Sequence, residues 1–183
     1  SLFENFNSEA TVIEHQPLAA RMRPRKLDDI VGQDHIVGPG KLLRRVIEAD
    51  RLSSIILFGP PGCGKTSIAE VIAGSTNRRF QRASGVTSNV AALRSIMENA
   101  RLMGGDRGTI LFVDEMHQML GTGSTSDGGV DLSGSLKPIL SRDDVVFVGA
   151  TTNDEYDRIL SRDGAFKRRF EVIVVKEPKH YEV

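Results

Sequence analysis

The segment of the sequence best suited to chemistry is a glycine-rich stretch that ends in a lysine and a threonine. Residues 59–66 read GPPGCGKT and match G-x-x-x-x-G-K-[ST] at every fixed position. Glycines allow the backbone to curl so that successive N–H groups point at the oxygens of a bound phosphate. In such a loop Lys65 can reach the β- and γ-phosphates of a nucleotide, and the Thr66 hydroxyl can bind Mg²⁺. The stretch therefore predicts a phosphate-binding loop.

The sequence on either side of this loop supports the prediction. An apolar run at 54–58 has the length of a buried parallel strand, and apolar residues at helical spacing follow from Ile68. A helix directly after the loop would aim its N-terminal dipole and unpaired N–H groups at the phosphates. An ordinary glycine turn, the alternative, accounts poorly for this strand-loop-helix order. The candidate nucleotide ligands are Gly59, Pro60, Pro61, Gly62, Cys63, Gly64, Lys65, Thr66 and Ser67.

Two acidic residues form the second candidate group. Asp114 and Glu115 follow the apolar run 109–113, and in a parallel sheet they would lie at the same edge as the phosphate-binding loop. Mg²⁺ prefers carboxylate and water oxygens, so Asp114 is a candidate metal ligand beside Thr66. Glu115 would orient and polarise an attacking water as a general base. The alternative is a capped strand end with two solvated carboxylates. His117 completes a D-E-x-H pattern, but we interpret it as a neighbour of the site rather than a catalytic group.

Strands and helices alternate along the whole chain, and this order predicts the architecture that positions both groups. The predicted strands are 54–58, 79–83, 109–113, 145–148 and 170–175, of which 79–83 has the weakest pattern. Helices are predicted after residue 40, after residue 67, and at 90–100, 132–140 and 154–160, with a small-residue loop at 121–129. The pattern indicates an α/β fold: a three-layer αβα sandwich around a five-stranded parallel sheet.

Composition excludes several other classes of protein. The 183 residues suit one domain, which we divide into a lead-in segment, 1–20, and a core, 21–183. Lys plus Arg and Asp plus Glu number 24 each, so bulk charge does not favour a generic polyanion binder. No apolar run is long enough to span a membrane, and the N-terminus lacks a signal-peptide pattern. Cys63 is the only cysteine, which excludes an intrachain disulfide and fits a cytoplasmic location; we interpret it as a small filler of the loop rather than a redox group.

Together with two further segments, these motifs resemble those of the AAA+ ATPases. The matching segments are 59–66, 110–115, 149–152 (GATT) and 168–170 (RRF). The resemblance implies a P-loop NTPase fold of AAA+ type, with ATP or ADP and Mg²⁺ as cofactors. It also implies that Thr152 senses the γ-phosphate or the attacking water. A strand-end turn is the alternative interpretation of Thr152.

The resemblance assigns roles to two further pairs of residues. Arg168 and Arg169 are implied to be arginine fingers that act on the nucleotide of a neighbouring copy in a homo-oligomer. Ile30 and Val31 are similar to the pair that contacts adenine in this family. The alternatives are a solvated basic pair at 168–169 and core packing at 30–31.

The likeness to subfamilies is divided between two lineages. Segments 17–33 and 83–94 resemble the replication-associated recombination ATPases, which are relatives of clamp loaders. Segments 121–138, 149–156 and 168–170 are similar to the first ATPase module of Clp-type unfoldases. A mosaic, or chimera, of the two lineages would explain this division.

Three hypotheses for function follow. The first is an ATP-binding core that hydrolyses ATP with Mg²⁺ when assembled, as the motor module of a machine that remodels DNA or protein. Because the sequence stops at Val183, just after the expected fifth strand, we expect no helical lid domain and no second sensor arginine. The second hypothesis is therefore a truncated or engineered nucleotide-binding module with little or no turnover. The third is a DNA-binding module that uses the basic segment 21–26 with Arg78 and Arg79, against which the zero net charge argues.

Overall fold

The computed structural model describes residues 17–76, 78–88, 90–104, 108–121, 145–157 and 168–178. The predicted helix at 132–140 lies outside these residues, as do most of the predicted loop at 121–129 and the end of the predicted helix at 154–160. The lead-in segment is described only from residue 17 onward.

Five parallel strands form one sheet in the order β2-β3-β4-β1-β5. The strands are β1 (Ile55–Phe58), β2 (Arg79–Ser84), β3 (Thr109–Asp114), β4 (Val145–Thr151) and β5 (Glu171–Val174). The α-helices are α1 (Leu18–Arg21), α2 (Asp34–Val37), α3 (Leu42–Glu48), α4 (Lys65–Gly74), α5 (Val90–Gly104), α6 (Met116–Gly121) and α7 (Asn153–Glu155), with a 3₁₀ turn at Leu27–Asp29. The five predicted strands are thus confirmed, and β2 is as regular as the others.

The three central strands are buried on both faces, which is why their sequences read as continuous apolar runs. Ile55 and Leu57 of β1 pack into one cluster, whereas Ile56 between them packs into the other. In β3, Phe112 and Leu111 divide between the clusters in the same way. Successive side chains of a strand point to opposite faces, so each strand contributes to two cores.

Helices cover both faces of the sheet. Leu43 and Ile47 of α3, with Ile68 and Ile72 of α4, belong to the first cluster. The second cluster is closed by Leu93 and Met97 of α5 and by Met116 and Met119 of α6. The molecule is therefore the predicted αβα sandwich, with the sheet as its middle layer.

The segment before α3 is tied to the last strand. Gln33 is 2% exposed; its Nε2 donates to Lys176 O at 2.6 Å, and its Oε1 accepts from Lys176 N at 3.3 Å. His35 Nε2 donates to Val174 O at 3.0 Å. These bonds satisfy backbone groups at the end of the edge strand and just after it. Among the described residues, no helix has the length and apolar character needed to cross a bilayer.

Candidate functional site

Nine of the predicted site residues line one cavity at the carboxyl edge of the sheet. Its volume is about 400 Å³, within the usual range for a small-molecule site. It is lined by the phosphate-binding loop, the ends of β3 and β4, and the start of α6, and we call it the cleft. The lining residues are Pro61, Gly62, Gly64, Lys65, Thr66, Ser67, Asp114, Glu115, His117, Ala150, Thr151 and Thr152.

The phosphate-binding loop adopts a conformation that needs its glycines. Gly62 and Gly64 have φ of 77° and 93°, in the left-handed region that side chains disfavour. Gly64 is the N-cap of α4, and no side chain caps it within the described part of the chain. The first N–H groups of this ten-residue helix are therefore available to an anion placed against the loop.

The Lys65 ammonium group is held against this loop. Its Nζ donates to Gly59 O at 2.9 Å and to Pro60 O at 2.8 Å, and the buried Cys63 Sγ lies 3.8 Å away. A phosphate oxygen is a stronger acceptor for an ammonium group than a neutral carbonyl oxygen. Lys65 can therefore exchange its carbonyl partners for a phosphate without leaving the loop.

Asp114, at the end of β3, faces the first turn of α4. Thr66 Oγ1 donates to Asp114 Oδ2 at 3.5 Å, and the backbone N–H of Glu115 donates to Asp114 Oδ1 at 3.1 Å. A hydroxyl and a carboxylate are hard oxygen donors of the type that Mg²⁺ prefers. The described residues contain no group of three or more His, Cys, Asp or Glu side chains able to hold a metal. The Thr66 hydroxyl and the Asp114 carboxylate fit Mg²⁺ that takes its other ligands from phosphate and water.

Glu115 sits in an unusual backbone conformation between β3 and α6. Its φ is 49°, in the left-handed region, and its side chain is exposed at the mouth of the cleft. Such a conformation costs a non-glycine residue about 1–2 kcal/mol and persists only where neighbouring structure fixes it. Gly85 supplies part of that structure, because its N–H donates to Asp114 O at 2.7 Å. A Cβ on Gly85 would lie 2.2 Å from Glu115 O, so the two backbones pack in direct contact.

The end of β4 brings two threonines to the cleft. Thr152 is half-buried and is the N-cap of α7, with its Oγ1 accepting from Glu155 N at 3.4 Å. Thr151 is 2% exposed, and its Oγ1 lies 3.0 Å from Nδ1 of His117. Gln118 Nε2 donates to His117 Nε2 at 3.2 Å, so a neutral His117 carries its proton on Nδ1 and donates it to Thr151. The Thr151 hydroxyl accepts this bond and can donate its own hydrogen to a different acceptor.

Two of the predicted site residues lie away from the cleft, and the predicted adenine-contacting pair does not line it. Arg168 and Arg169 are exposed and precede β5, whose first residue, Glu171, bonds through its N–H to Ser54 O before β1. They therefore lie at the amino edge of the sheet, opposite the cleft. The predicted adenine-contacting pair is divided, since Ile30 is buried in the first cluster whereas Val31 is 56% exposed.

Two contacts of the site were not predicted from the sequence. His117 and Thr151 are joined across 34 positions, and the D-E-x-H spacing was the only signal for His117. Arg82 Nη2 lies 3.3 Å from Asp114 Oδ2, a contact that depends on β2 lying beside β3. Neither partner could be identified without the order of the strands.

This chain is similar in sequence to a known protein family and to several known proteins. The family model described as ATPase family associated with various cellular activities (AAA) matches residues 55–174. Replication-associated recombination protein A of Escherichia coli is 46% identical over 140 residues, which cover 76% of this chain and 29% of that relative. The chaperone protein ClpB of Mycobacterium bovis is 30% identical over 180 residues, which cover 88% of this chain and 21% of that relative.

The fold has similar solved structures as well. A point mutant of RuvB from Thermotoga maritima superposes with a TM-score of 0.62 at 25% identity, covering 87% of this chain and 51% of that one. Both subfamily resemblances in the sequence are confirmed by the relatives, each of which aligns with more than three quarters of the chain. A mosaic origin stays a prediction. The chain spans about a fifth to a third of the length of its curated relatives.

Proposed function

The chain belongs to the AAA family of ATPases, and on that basis we propose that it binds ATP or ADP with Mg²⁺ in the cleft and hydrolyses ATP when copies of the chain assemble. The observation that carries this proposal is the single cavity shared by Lys65, Thr66, Asp114, Glu115 and Thr152. These side chains come from the phosphate-binding loop and from two strand ends that are far apart in sequence. A structural glycine turn would not require such convergence.

Each of these residues has a role that its position supports. Lys65 and the N-terminal N–H groups of α4 bind the phosphates and neutralise their charge. Thr66 and Asp114 would hold Mg²⁺, which supplies charge neutralisation on the β- and γ-phosphate oxygens when bound. Glu115 orients a water at the mouth of the cleft and accepts its proton. Thr152 contacts the γ-phosphate or that water through its hydroxyl.

Hydrolysis requires more than one copy of the chain in this proposal. Arg168 and Arg169 are exposed at the sheet edge opposite the cleft, so they cannot reach the nucleotide of their own chain. A neighbouring copy can bring them to it, where a guanidinium group stabilises the charge on the transferring phosphoryl group. The assembled form would be the motor module of a machine that remodels DNA or protein. The name of the replication-associated recombination protein suggests DNA, and the name of the chaperone suggests protein.

The position of Arg168 and Arg169 opposite the cleft favours a second candidate function for a chain that is not assembled with other copies. A single copy has a complete phosphate-binding loop but no arginine at its own cleft from the 168–169 pair. Such a copy would bind nucleotide and turn it over slowly or not at all. This candidate is a nucleotide-binding module, and it differs from the first only in what happens on assembly.

Nucleotide binding and ATP turnover measured on one sample would test the proposal. We would compare the parent chain with Glu115→Gln, which keeps the shape of the side chain but removes the base, and with Lys65→Ala. Turnover that rises with chain concentration, is lost in Glu115→Gln and leaves ADP binding intact would support an assembled ATPase. Binding without turnover at any concentration would support the second candidate. If ADP failed to bind the parent, or bound equally well to Lys65→Ala, both candidates would be wrong.

A further inference from the structure

Arg82 contacts the same carboxylate oxygen that the proposed function assigns to Mg²⁺. Its Nη2 lies 3.3 Å from Asp114 Oδ2, the oxygen that also accepts from Thr66 at 3.5 Å. Arg82 lies two residues before the end of β2, which pairs in register with β3 so that Ser84 lies beside Asp114. The sheet therefore places the backbone of Arg82 close to Asp114.

A guanidinium and a divalent cation cannot share one carboxylate oxygen at no cost. Mg²⁺ requires its ligand oxygens at about 2.0–2.1 Å in near-octahedral geometry, and a positive group at hydrogen-bond distance from the same oxygen repels it. Arg82 beside Asp114 therefore weakens the binding of Mg²⁺ to this carboxylate. The contact is half exposed to solvent, so the repulsion is moderate rather than prohibitive.

A second acidic side chain is placed to receive Arg82. Glu70 Oε1 lies 4.0 Å from Arg82 Nη1, whereas Asp114 contacts Nη2 of the same guanidinium. Glu70 is four residues after Thr66 on α4, so the two lie one above the other on the same face of that helix. Glu70 also accepts from Arg23 Nη1 at 3.2 Å, which fixes its position. The Phe112 ring, 5.9 Å from the guanidinium carbon, lies beneath Arg82.

We propose that Arg82 competes with Mg²⁺ for Asp114, and that Mg²⁺ binds with nucleotide only as Arg82 moves from Asp114 to Glu70. The inference rests on the proposed function, because it concerns the metal of the same cleft. In this scheme Arg82 and Glu70 are positioning residues, and they set the Mg²⁺ concentration at which nucleotide binding is half-maximal. Neither residue contacts the nucleotide in this scheme.

The test is a Mg²⁺ titration of ADP binding, with ADP carrying a fluorescent label on its ribose. ADP avoids turnover during the titration, so the readout is independent of ATPase activity. In Arg82→Gln the Mg²⁺ concentration for half-maximal binding should fall about two- to fivefold, because the competitor is gone. In Glu70→Gln it should rise by a similar factor, because Arg82 loses its second partner. Arg82→Lys, which keeps the charge, should stay near the parent.

Two controls separate this exchange from a general effect of charge. Arg79→Gln removes the same charge from the start of the same strand, away from Asp114, and should leave the midpoint unchanged. The double variant Arg82→Gln/Glu70→Gln should have the midpoint of Arg82→Gln alone, because Glu70 acts only through Arg82. Thermal unfolding of each variant checks that the fold is intact.

Three results would overturn the inference. An unchanged or raised midpoint in Arg82→Gln, with ADP still bound, would show that Arg82 does not compete. Additive shifts in the double variant would show that both residues act only through their charge. If the parent bound no ADP at any Mg²⁺ concentration, the proposed function and this inference would fail together.

Discussion

Gly85 shows at the scale of one residue how closely the site is packed. An added Cβ would lie 2.2 Å from Glu115 O and 3.1 Å from Asp114 O, both of which are backbone atoms that cannot rotate away. We therefore expect Gly85→Ala to lower the free energy of unfolding by about 1–3 kcal/mol and to reduce turnover more than ADP binding. Urea unfolding and turnover assays would measure the two effects.

Gly74 offers a matched control for that substitution. It lies in the last turn of α4, with Arg25 O at 3.9 Å as the nearest atom to an added Cβ. Gly74→Ala should be neutral or stabilising, because alanine favours a helix more than glycine does. Equal losses of stability at Gly74 and Gly85 would contradict the interpretation of Gly85 as a close backbone contact.

The hydrogen bond between His117 and Thr151 should be measurable as a coupling in stability. Both side chains are buried, so Thr151→Val and His117→Leu should each cost about 1–3 kcal/mol by leaving a polar partner unpaired. The double variant should cost less than the sum by about 1 kcal/mol. Chemical unfolding of the four proteins gives this value, and strict additivity would mean that the bond contributes nothing.

Individual residues of the site could be predicted from the sequence only where the residues that act together are neighbours in the chain. The glycines, Lys65 and Thr66 are adjacent in the chain, so their spacing alone indicated phosphate binding. Arg82, which contacts Asp114, comes from β2, and His117, which contacts Thr151, comes from α6, so neither contact could be read from a local pattern. That Ile30 and Val31 contact adenine remains a prediction. Of the two side chains, Ile30 is buried and Val31 is exposed.

The turn between β3 and α6 is the element that sets the direction of the Glu115 side chain. With φ at 49°, this position imposes a cost on any residue that has a Cβ. Glu115→Gly should therefore be at least as stable as Glu115→Ala, although both lose the base. At Ser95, an exposed position within α5, the order should reverse and the alanine variant should be more stable by about 1 kcal/mol. Thermal unfolding of the four variants checks the comparison; a more stable Glu115→Ala would argue against strain in this turn.

The strands were predicted well because buried parallel strands are short, apolar and bounded by turn residues. The order of the strands in the sheet was not predicted. In the sheet β4 lies between β1 and β3, although it follows both of them in the chain. That insertion results from long-range pairing, which local periodicity does not record. It also places the end of β4, with its two threonines, between the phosphate-binding loop and the acidic pair.

At the scale of the whole molecule, the cleft and the pair Arg168 and Arg169 lie at opposite edges of the sheet. Mixing two inactive variants would test whether the arginines of one copy act at the cleft of another. Glu115→Gln keeps the arginines, and Arg168→Ala/Arg169→Ala keeps the cleft, so each alone should have little turnover. In an equal mixture, roughly a quarter of the interfaces would join an intact cleft to intact arginines and recover turnover in proportion. A mixture that stays inactive would contradict the assignment of these arginines.

A second mixture provides the control for this experiment. Lys65→Ala and Glu115→Gln both keep their arginines but each lacks a working cleft. Their mixture should remain inactive, because no interface contains a complete cleft. Recovery in this mixture would show that turnover arises from contamination or from a different set of residues.

The position of the arginines at the opposite edge from the cleft has a consequence for counting. If the arginines of one copy complete the cleft of the next, as proposed, the copies join head to tail, so a pair would form one completed cleft and leave one cleft open. An open row of copies always has one fewer completed cleft than it has members. A closed ring has as many as its members. Because the proposed function requires a completed cleft for turnover, a closed ring should hydrolyse more ATP per copy than a short open row.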